Sequence, residues 1–176
     1  ITAGPTFEAI DPVRGISNRS SGKMGFAIAR AAAEAGATVT LIAGPVHLPT
    51  PRGVRRIDVT SALQMHDAVL PLAPQHEVFV ATAAVADWRP AAPSEHKIKK
   101  ERGGLTNIPL TENPDILKTI SAMKKGRPTL VVGFAAETDD VINHARAKRL
   151  RKGCDWIVAN DVSAGAHCAM GGDANT

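Results

Sequence analysis

Ile16-Ser17-Asn18-Arg19-Ser20-Ser21-Gly22-Lys23-Met24-Gly25 lies between a strand end, Ile1-Thr2-Ala3-Gly4, and an alanine-rich helix. A strand, a glycine turn, a small polar loop and a helix in that order open an α/β unit. The first amides of such a helix point at an anion. Gly4 and Gly22 permit close backbone approach, and Ser20 and Ser21 are candidate helix caps. Asn18 adds a donor and an acceptor just outside. Gly4, Asn18, Ser20, Ser21 and Gly22 are therefore candidate substrate-binding residues, in a pocket that holds phosphate beside a reacting group.

Strand and helix signals alternate outward from this stretch. Met24 to Ala35 is predicted helical, with Met24, Ile28, Ala31, Ala32 and Ala35 on one face and Gly36 as the stop. Val39 to Ala43 and Val54 to Val59 read as strands. Thr60 is the expected cap of a helix over Ala62 to Leu72, whose inward face is Ala62, Met65, Val69 and Leu72. Val78 to Val85 is an apolar run suited to a strand buried on both faces. Asp87 to Pro114 is a long connection rich in proline and lysine, with Gly103-Gly104, and has room for a hairpin. Asn113 is the expected cap, with Pro114 first, of a helix reaching Lys125. Leu130 to Ala135 is a strand, Thr138 to Lys152 a helix and Trp156 to Ala159 the last strand. This pattern predicts an α/β fold: a Rossmann-like, doubly wound, mainly parallel sheet with helices on both faces, one domain over residues 1–176 with a long inserted connection. Ligands in such sheets bind beyond the carboxyl ends of the strands. Those ends carry Ala3-Gly4, Gly44-Pro45, Ala86-Asp87, Ala135 to Glu137, and Asn160-Asp161.

The chain has 176 residues and 44% hydrophobic content, enough for a core, and no apolar run of membrane-spanning length. It starts in a strand without an initiator Met or signal peptide. It is expected to be a piece of a longer polypeptide, cut in its first strand and at its C-terminal end. Cys154 and Cys168 form no disulfide framework, so the cytoplasm is the expected compartment. Their spacing from His144 and His167 matches no zinc pattern. The net charge of +4 suits an anionic ligand. With no Tyr, four Phe and two Trp, a base-stacking surface for nucleic acid is poorly supplied.

A dehydrogenase fits poorly. The first turn lacks G-x-G-x-x-G, and the second strand ends without an acidic residue for a ribose hydroxyl. Ser21-Gly22-Lys23-Met24 also fails as a P-loop. The lysines suggest other chemistry. In Lys97-Ile98-Lys99-Lys100, extended backbone places Lys97 and Lys99 on one side. Lys148 and Lys152 share a helix face. Two such pairs could close over a polyphosphate, although solvated charge and the helix dipole are ordinary alternatives. Asn113-Pro114-Asp115-Ile116 offers a second helix N-terminus as a phosphate cradle. Phe134 is core or a base platform. Asp87 bonds a ribose or a metal-bound water, or caps its turn.

Eight motifs stand in the order seen in phosphopantothenoylcysteine synthetase, the second domain of the bacterial bifunctional coenzyme A biosynthesis protein. They are Ile1 to Thr6, Asp11-Pro12-Val13-Arg14, Ile16 to Gly25, Ala83 to Asp87, Lys97 to Lys100, Asn113 to Ile116, Gly133 to Thr138, and Ala159 to Val162. The chain resembles that family over nearly its whole length. The resemblance implies a CTP-dependent ligase that joins 4′-phosphopantothenate to L-cysteine through an acyl-cytidylate, releasing pyrophosphate and then CMP. It implies Mg²⁺, held mainly by nucleotide phosphates. It implies a homodimer and a flavin-dependent phosphopantothenoylcysteine decarboxylase domain fused N-terminally; the long connection from Asp87 to Thr111 is our expected place for the dimer interface. It assigns catalysis to Asn18, which holds the acyl-cytidylate, and to Lys97, which serves its formation. The implied nucleotide site is Ala81, Thr82, Ala83, Asp87, Lys97, Pro114, Asp115, Ile116, Leu117, Phe134, Lys148 and Lys152. The residues from Ser163 onward are expected to be poorly ordered. The competing readings are a non-catalytic nucleotide-binding regulatory domain and an NAD(P)-dependent oxidoreductase.

Overall fold

The computed structural model describes residues 1–100 and 106–163. Gly103-Gly104 and the tail from residue 164, with Cys168 and His167, lie outside the described residues. In chain order the elements are β1 (Thr2–Ala3), β2 (Phe7–Ala9), β3 (Gly15–Ser17), α1 (Lys23–Glu34), β4 (Val39–Ala43), β5 (Val54–Asp58), α2 (Ala62–Val69), a 3₁₀ turn (Ala73–Gln75), β6 (Val78–Ala81), β7 (Trp88–Pro90), β8 (Leu110–Glu112), α3 (Ile116–Ser121), β9 (Leu130–Glu137), α4 (Val141–Lys152) and β10 (Trp156–Asp161).

The central sheet has six strands in the order β10-β9-β6-β1-β4-β5, and every pairing in it is parallel. The chain moves one way from β1 through α1 to β4, and the other way from β6 through α3 to β9. The crossovers therefore diverge between β1 and β6, which is where a doubly wound sheet opens a crevice. Two antiparallel hairpins lie outside the sheet: β2–β3, and β7–β8 inside the long connection.

The core is split by the sheet. Under α1, Phe26 and Ala29 meet Ala3, Val39, Leu41 and Ala43. On the other face, Met65, Val69, Ile116, Leu117 and Ile120 from α2 and α3 meet Ile42, Phe79 and Val131. The inward face of α1 is Gly25, Phe26 and Ala29; of the expected face Ala32 packs against this core, but the helix is turned from the orientation expected around Met24 and Ile28. Alanine pattern carries little directional information, and the close approach at Gly25 decides the rotation. A Cβ on Gly25 would run into Ala3 Cβ and Thr82 Oγ1. Gly25→Ala is expected to cost about 1–3 kcal/mol by overpacking, measured as a lower urea midpoint at unchanged slope.

Other boundaries also differ from expectation. The strand predicted over Val78 to Val85 ends at Ala81, and Val78 is exposed. Past Ala81 the chain leaves β9 and follows the segment after β1: Thr82 N–H donates to Thr2 O at 3.2 Å and Ala84 N–H to Gly4 O at 2.9 Å. Ser61, not Thr60, caps α2, because its hydroxyl and the Gln64 side chain close a reciprocal capping box. Asp115, not Asn113, caps α3, and α3 stops at Ser121 rather than Lys125. Asn113 is drawn off because its Nδ2 donates to Ala86 O at 2.8 Å.

Candidate functional site

A cavity of about 750 Å³ opens at the crevice between β1 and β6. Its floor comes from strand residues Thr2, Ala81 and Phe134. One wall is Ala83 with Val85 to Trp88, and another is Asn113 to Leu117 as it enters α3. The last turn of α4 supplies Lys148, Arg151 and Lys152. Spacings of three and four residues put these three cations on one helical face. Acidic groups at the rim are Asp87, Glu112 and Asp115.

The electrostatics favour an anion beside α4. Burial pushes the Lys148 ammonium below its ordinary pKa. Glu137 works against that shift, while neighbouring Lys152 and Arg151 add to it. Holding this charge costs the free protein stability at pH below the lowered pKa, and the cost disappears above the ordinary lysine value. An incoming phosphate would relieve it. Lys152 is already paired, donating to the Asp115 carboxylate. The same carboxylate accepts from Lys118 N–H at 3.0 Å. The N-terminus of α3 is therefore filled by its own capping side chain, and the helix is only six residues long. The Lys118 amide is thereby taken from the phosphate cradle expected at Asn113-Pro114-Asp115-Ile116.

The expected site residues fall into three places. Ala81, Ala83, Asp87, Pro114, Asp115, Ile116, Leu117, Phe134, Lys148 and Lys152 all line the cavity. Thr82 turns away, its hydroxyl donating to Thr2 O at 2.5 Å. A second region gathers at the start of α1. Gly22 has φ +76°, and a Cβ there would lie 3.4 Å from Gly4 Cα. Gly22 itself is the N-cap, in the left-handed conformation that favours glycine. Ser20 and Ser21 do not cap α1; their hydroxyls stand 3.4 Å from the Gly22 and Lys23 amides. Asn18 is exposed there, with Nδ2 donating to Ala84 O at 3.1 Å. The stretch from Thr82 to Ala86 thus joins the two regions. Lys97 stands in a third place: it is exposed and lines no wall of the cavity.

Sequence reasoning missed Arg151 and Glu112. Arg151 could have been found, because it lies between Lys148 and Lys152 on the same face. Glu112 reaches the cavity only through the pairing of β7 with β8, in which Trp88 faces Glu112. Among the described residues, no group of three or more His, Cys, Asp or Glu side chains is placed to hold a metal ion. None of the described helices is long and apolar enough to cross a membrane.

The family model for the DNA/pantothenate metabolism flavoprotein C-terminal domain matches residues 1–176. The chain is 60% identical over 164 residues to the coenzyme A biosynthesis bifunctional protein CoaBC of Vibrio cholerae, covering 93% of this chain and 41% of that protein. It is 56% identical over 165 residues to CoaBC of Escherichia coli, covering 93% of this chain and 40% of that one. The chain thus spans about two fifths of the length of these relatives. The crystal structure of a CoaBC C-terminal domain superposes with a TM-score of 0.79 at 44% identity, over 92% of this chain and 76% of that one. With a parallel sheet, a crevice at its switch point and a match along its full length, this chain belongs to the DNA/pantothenate metabolism flavoprotein C-terminal domain family.

Proposed function

We propose that this domain joins 4′-phosphopantothenate to L-cysteine with CTP as co-substrate, a ligation in coenzyme A biosynthesis. The carrying observation is the cavity at the sheet's switch point, walled by Lys148, Arg151 and Lys152. Its support is the identity with CoaBC over 93% of the chain. A carboxylate is a poor electrophile. Its oxygen attacks the α-phosphorus of CTP, a P–O bond forms, and pyrophosphate leaves with the electrons of the bond that breaks. The cysteine amine then attacks the acyl carbon, CMP leaves, and the amine proton passes to solvent.

The base sits against Phe134 and the backbone from Ala81 to Ala83, where amide and carbonyl groups discriminate cytosine by its edge. A mispaired edge leaves buried polar groups unsatisfied, which is costly. The α4 cations hold the triphosphate, and Asp87 meets the ribose or a metal-bound water. Mg²⁺ bound to the phosphates would neutralise charge there. A site offering one or two carboxylates beside substrate phosphates suits that ion. Pro114 to Leu117 closes the wall opposite α4. Gly4, Ser20, Ser21 and Gly22 shape the acyl end, and Asn18 holds the acyl-cytidylate. Lys97 meets the developing charge as the first bond forms. The dimer forms through Asp87 to Thr111, where Trp88 and Leu110 are exposed.

Thermal unfolding with CTP, ATP or NADPH, each with and without Mg²⁺, tests the co-substrate. Ligand at a hundred times its Kd adds about 2.7 kcal/mol. That is a rise of about 5–10 °C at this chain length, expected for CTP and not for NADPH. Stabilisation by NADPH alone would restore the oxidoreductase reading. CTP binding without pyrophosphate release on adding phosphopantothenate would favour a regulatory domain.

Lys148 gives this binding a pH dependence. Only the charged ammonium attracts phosphate, so CTP affinity is full below the lowered pKa and falls as pH rises through it. Lys148→Met is expected to raise the melting temperature of the free protein slightly, because a buried charge is removed. It should also weaken CTP by about 10–100-fold, the worth of one hydrogen bond to a charged group. Melting curves and titration calorimetry across pH would check both.

A further inference from the structure

The motif Asp11-Pro12-Val13-Arg14 takes no part in the steps above. Yet the Asp11 side chain is 0% exposed, and five N–H groups converge on it. Oδ1 accepts from the backbone of Val13 at 2.9 Å and of Arg14 at 2.8 Å. Oδ2 accepts from Arg14 Nε at 3.0 Å, from Arg14 Nη2 at 2.5 Å and from Ile98 N–H at 3.1 Å. Arg14 Nη2 also donates to Ile98 O at 2.8 Å. The pair therefore takes both polar groups of the Ile98 backbone, as a neighbouring strand would.

Ile98 lies between Lys97 and Lys99, in a stretch that belongs to no helix or strand. What holds such a stretch must come from elsewhere. A second bond, Ser94 N–H to Ile10 O at 2.9 Å, hangs the same segment on the tip of the β2–β3 hairpin. The hairpin is fixed in turn beside the cavity wall, since Ala86 N–H donates to Thr6 Oγ1 at 3.0 Å. Arg14 holds the Asp11 carboxyl well below the usual carboxylate range, helped by the Ile98, Val13 and Arg14 amides against the effect of burial. The clamp stays charged throughout the neutral and mildly acid range.

We infer that Asp11 is a positioning residue: with Arg14 as its counter-ion it clamps the Ile98 peptide and so sets Lys97 relative to the site. This rests on the role proposed for Lys97. Asp11→Asn keeps the shape, but its single acceptor oxygen can face the Val13 and Arg14 amides or the Ile98 amide and the guanidinium, not both, and the charge is lost. In the intact protein, trypsin under native conditions should then cut after Lys97, Lys99 or Lys100 about tenfold faster, as local opening becomes easier. Single-turnover formation of the acyl-cytidylate should fall about tenfold, with CTP affinity unchanged within about twofold, because the clamp does not touch the cavity.

Unchanged cleavage at those lysines, or an unchanged single-turnover rate, would overturn the inference. So would cleavage accelerated equally along the whole chain, which marks a general loss of stability. If Asp11→Asn does not fold, Arg14→Lys carries the same test, since lysine has no Nε donor for Asp11 and ends one bond short of Nη2, the atom that bonds both Asp11 and the Ile98 carbonyl. If the unaltered protein forms no acyl-cytidylate while Asp11→Asn still frees the lysine segment, the proposed reaction falls, and Asp11's part in it, but the clamp stands.

Discussion

Lys97→Gln is expected to slow acyl-cytidylate formation by about 10²–10³-fold, the usual result of removing one preorganised charge-stabilising group. Two anions must meet in this step, and charge grows on the departing pyrophosphate. Glutamine keeps the polarity of lysine and removes its charge. The α4 cations remain, so CTP still binds. Lys97 is exposed and lines no wall of the cavity, so the fold does not depend on it. A surface change of this kind stays within about 0.5 kcal/mol of stability, a shift of no more than about 2 °C in melting temperature. Rapid-quench measurement of the intermediate, beside a melting curve, separates the two effects. A stable variant with near-normal pyrophosphate release would remove Lys97 from the first step.

Asn18→Asp is expected to lower steady-state synthesis of the cysteine adduct by about 10–100-fold, the worth of one hydrogen bond involving a charged group. The Asn18 amide donates to Ala84 O, 3.1 Å away, and this bond ties the α1 loop to the stretch that also walls the cavity. A carboxylate in its place sets two acceptors against each other. It also opposes the phosphate of the acyl-cytidylate. Both effects fall on holding the intermediate, so the pyrophosphate burst should be less affected than overall turnover. Unchanged synthesis of the adduct would show that Asn18 has no such role.

Much of the layout was legible because it is written locally. Alternating apolar runs and alanine-rich helices predicted a doubly wound sheet, and the sheet observed is of that kind. Lys148 and Lys152 could be paired from their spacing alone. What was not legible depended on partners far away in sequence. The length of the strand at Val78 depended on Thr2 and Gly4 drawing the chain off after Ala81. The rotation of α1 depended on Gly25 meeting Ala3 and Thr82. Asn113 looked like a cap until Ala86 claimed its amide. Asp11 and Arg14 stood out only as part of a motif shared with the family, with no role attached. Their partner Ile98 lies 87 residues from Asp11, and no spacing rule could supply it.

The most direct test is to mix the intact protein with CTP, Mg²⁺ and 4′-phosphopantothenate, leave out cysteine, and identify the product by mass. The expected product is a phosphopantothenoyl-cytidylate together with one equivalent of pyrophosphate, converted to the cysteine amide and CMP when cysteine is added. Release of CDP and phosphate, or amide formation that does not require CTP, would contradict the proposed reaction.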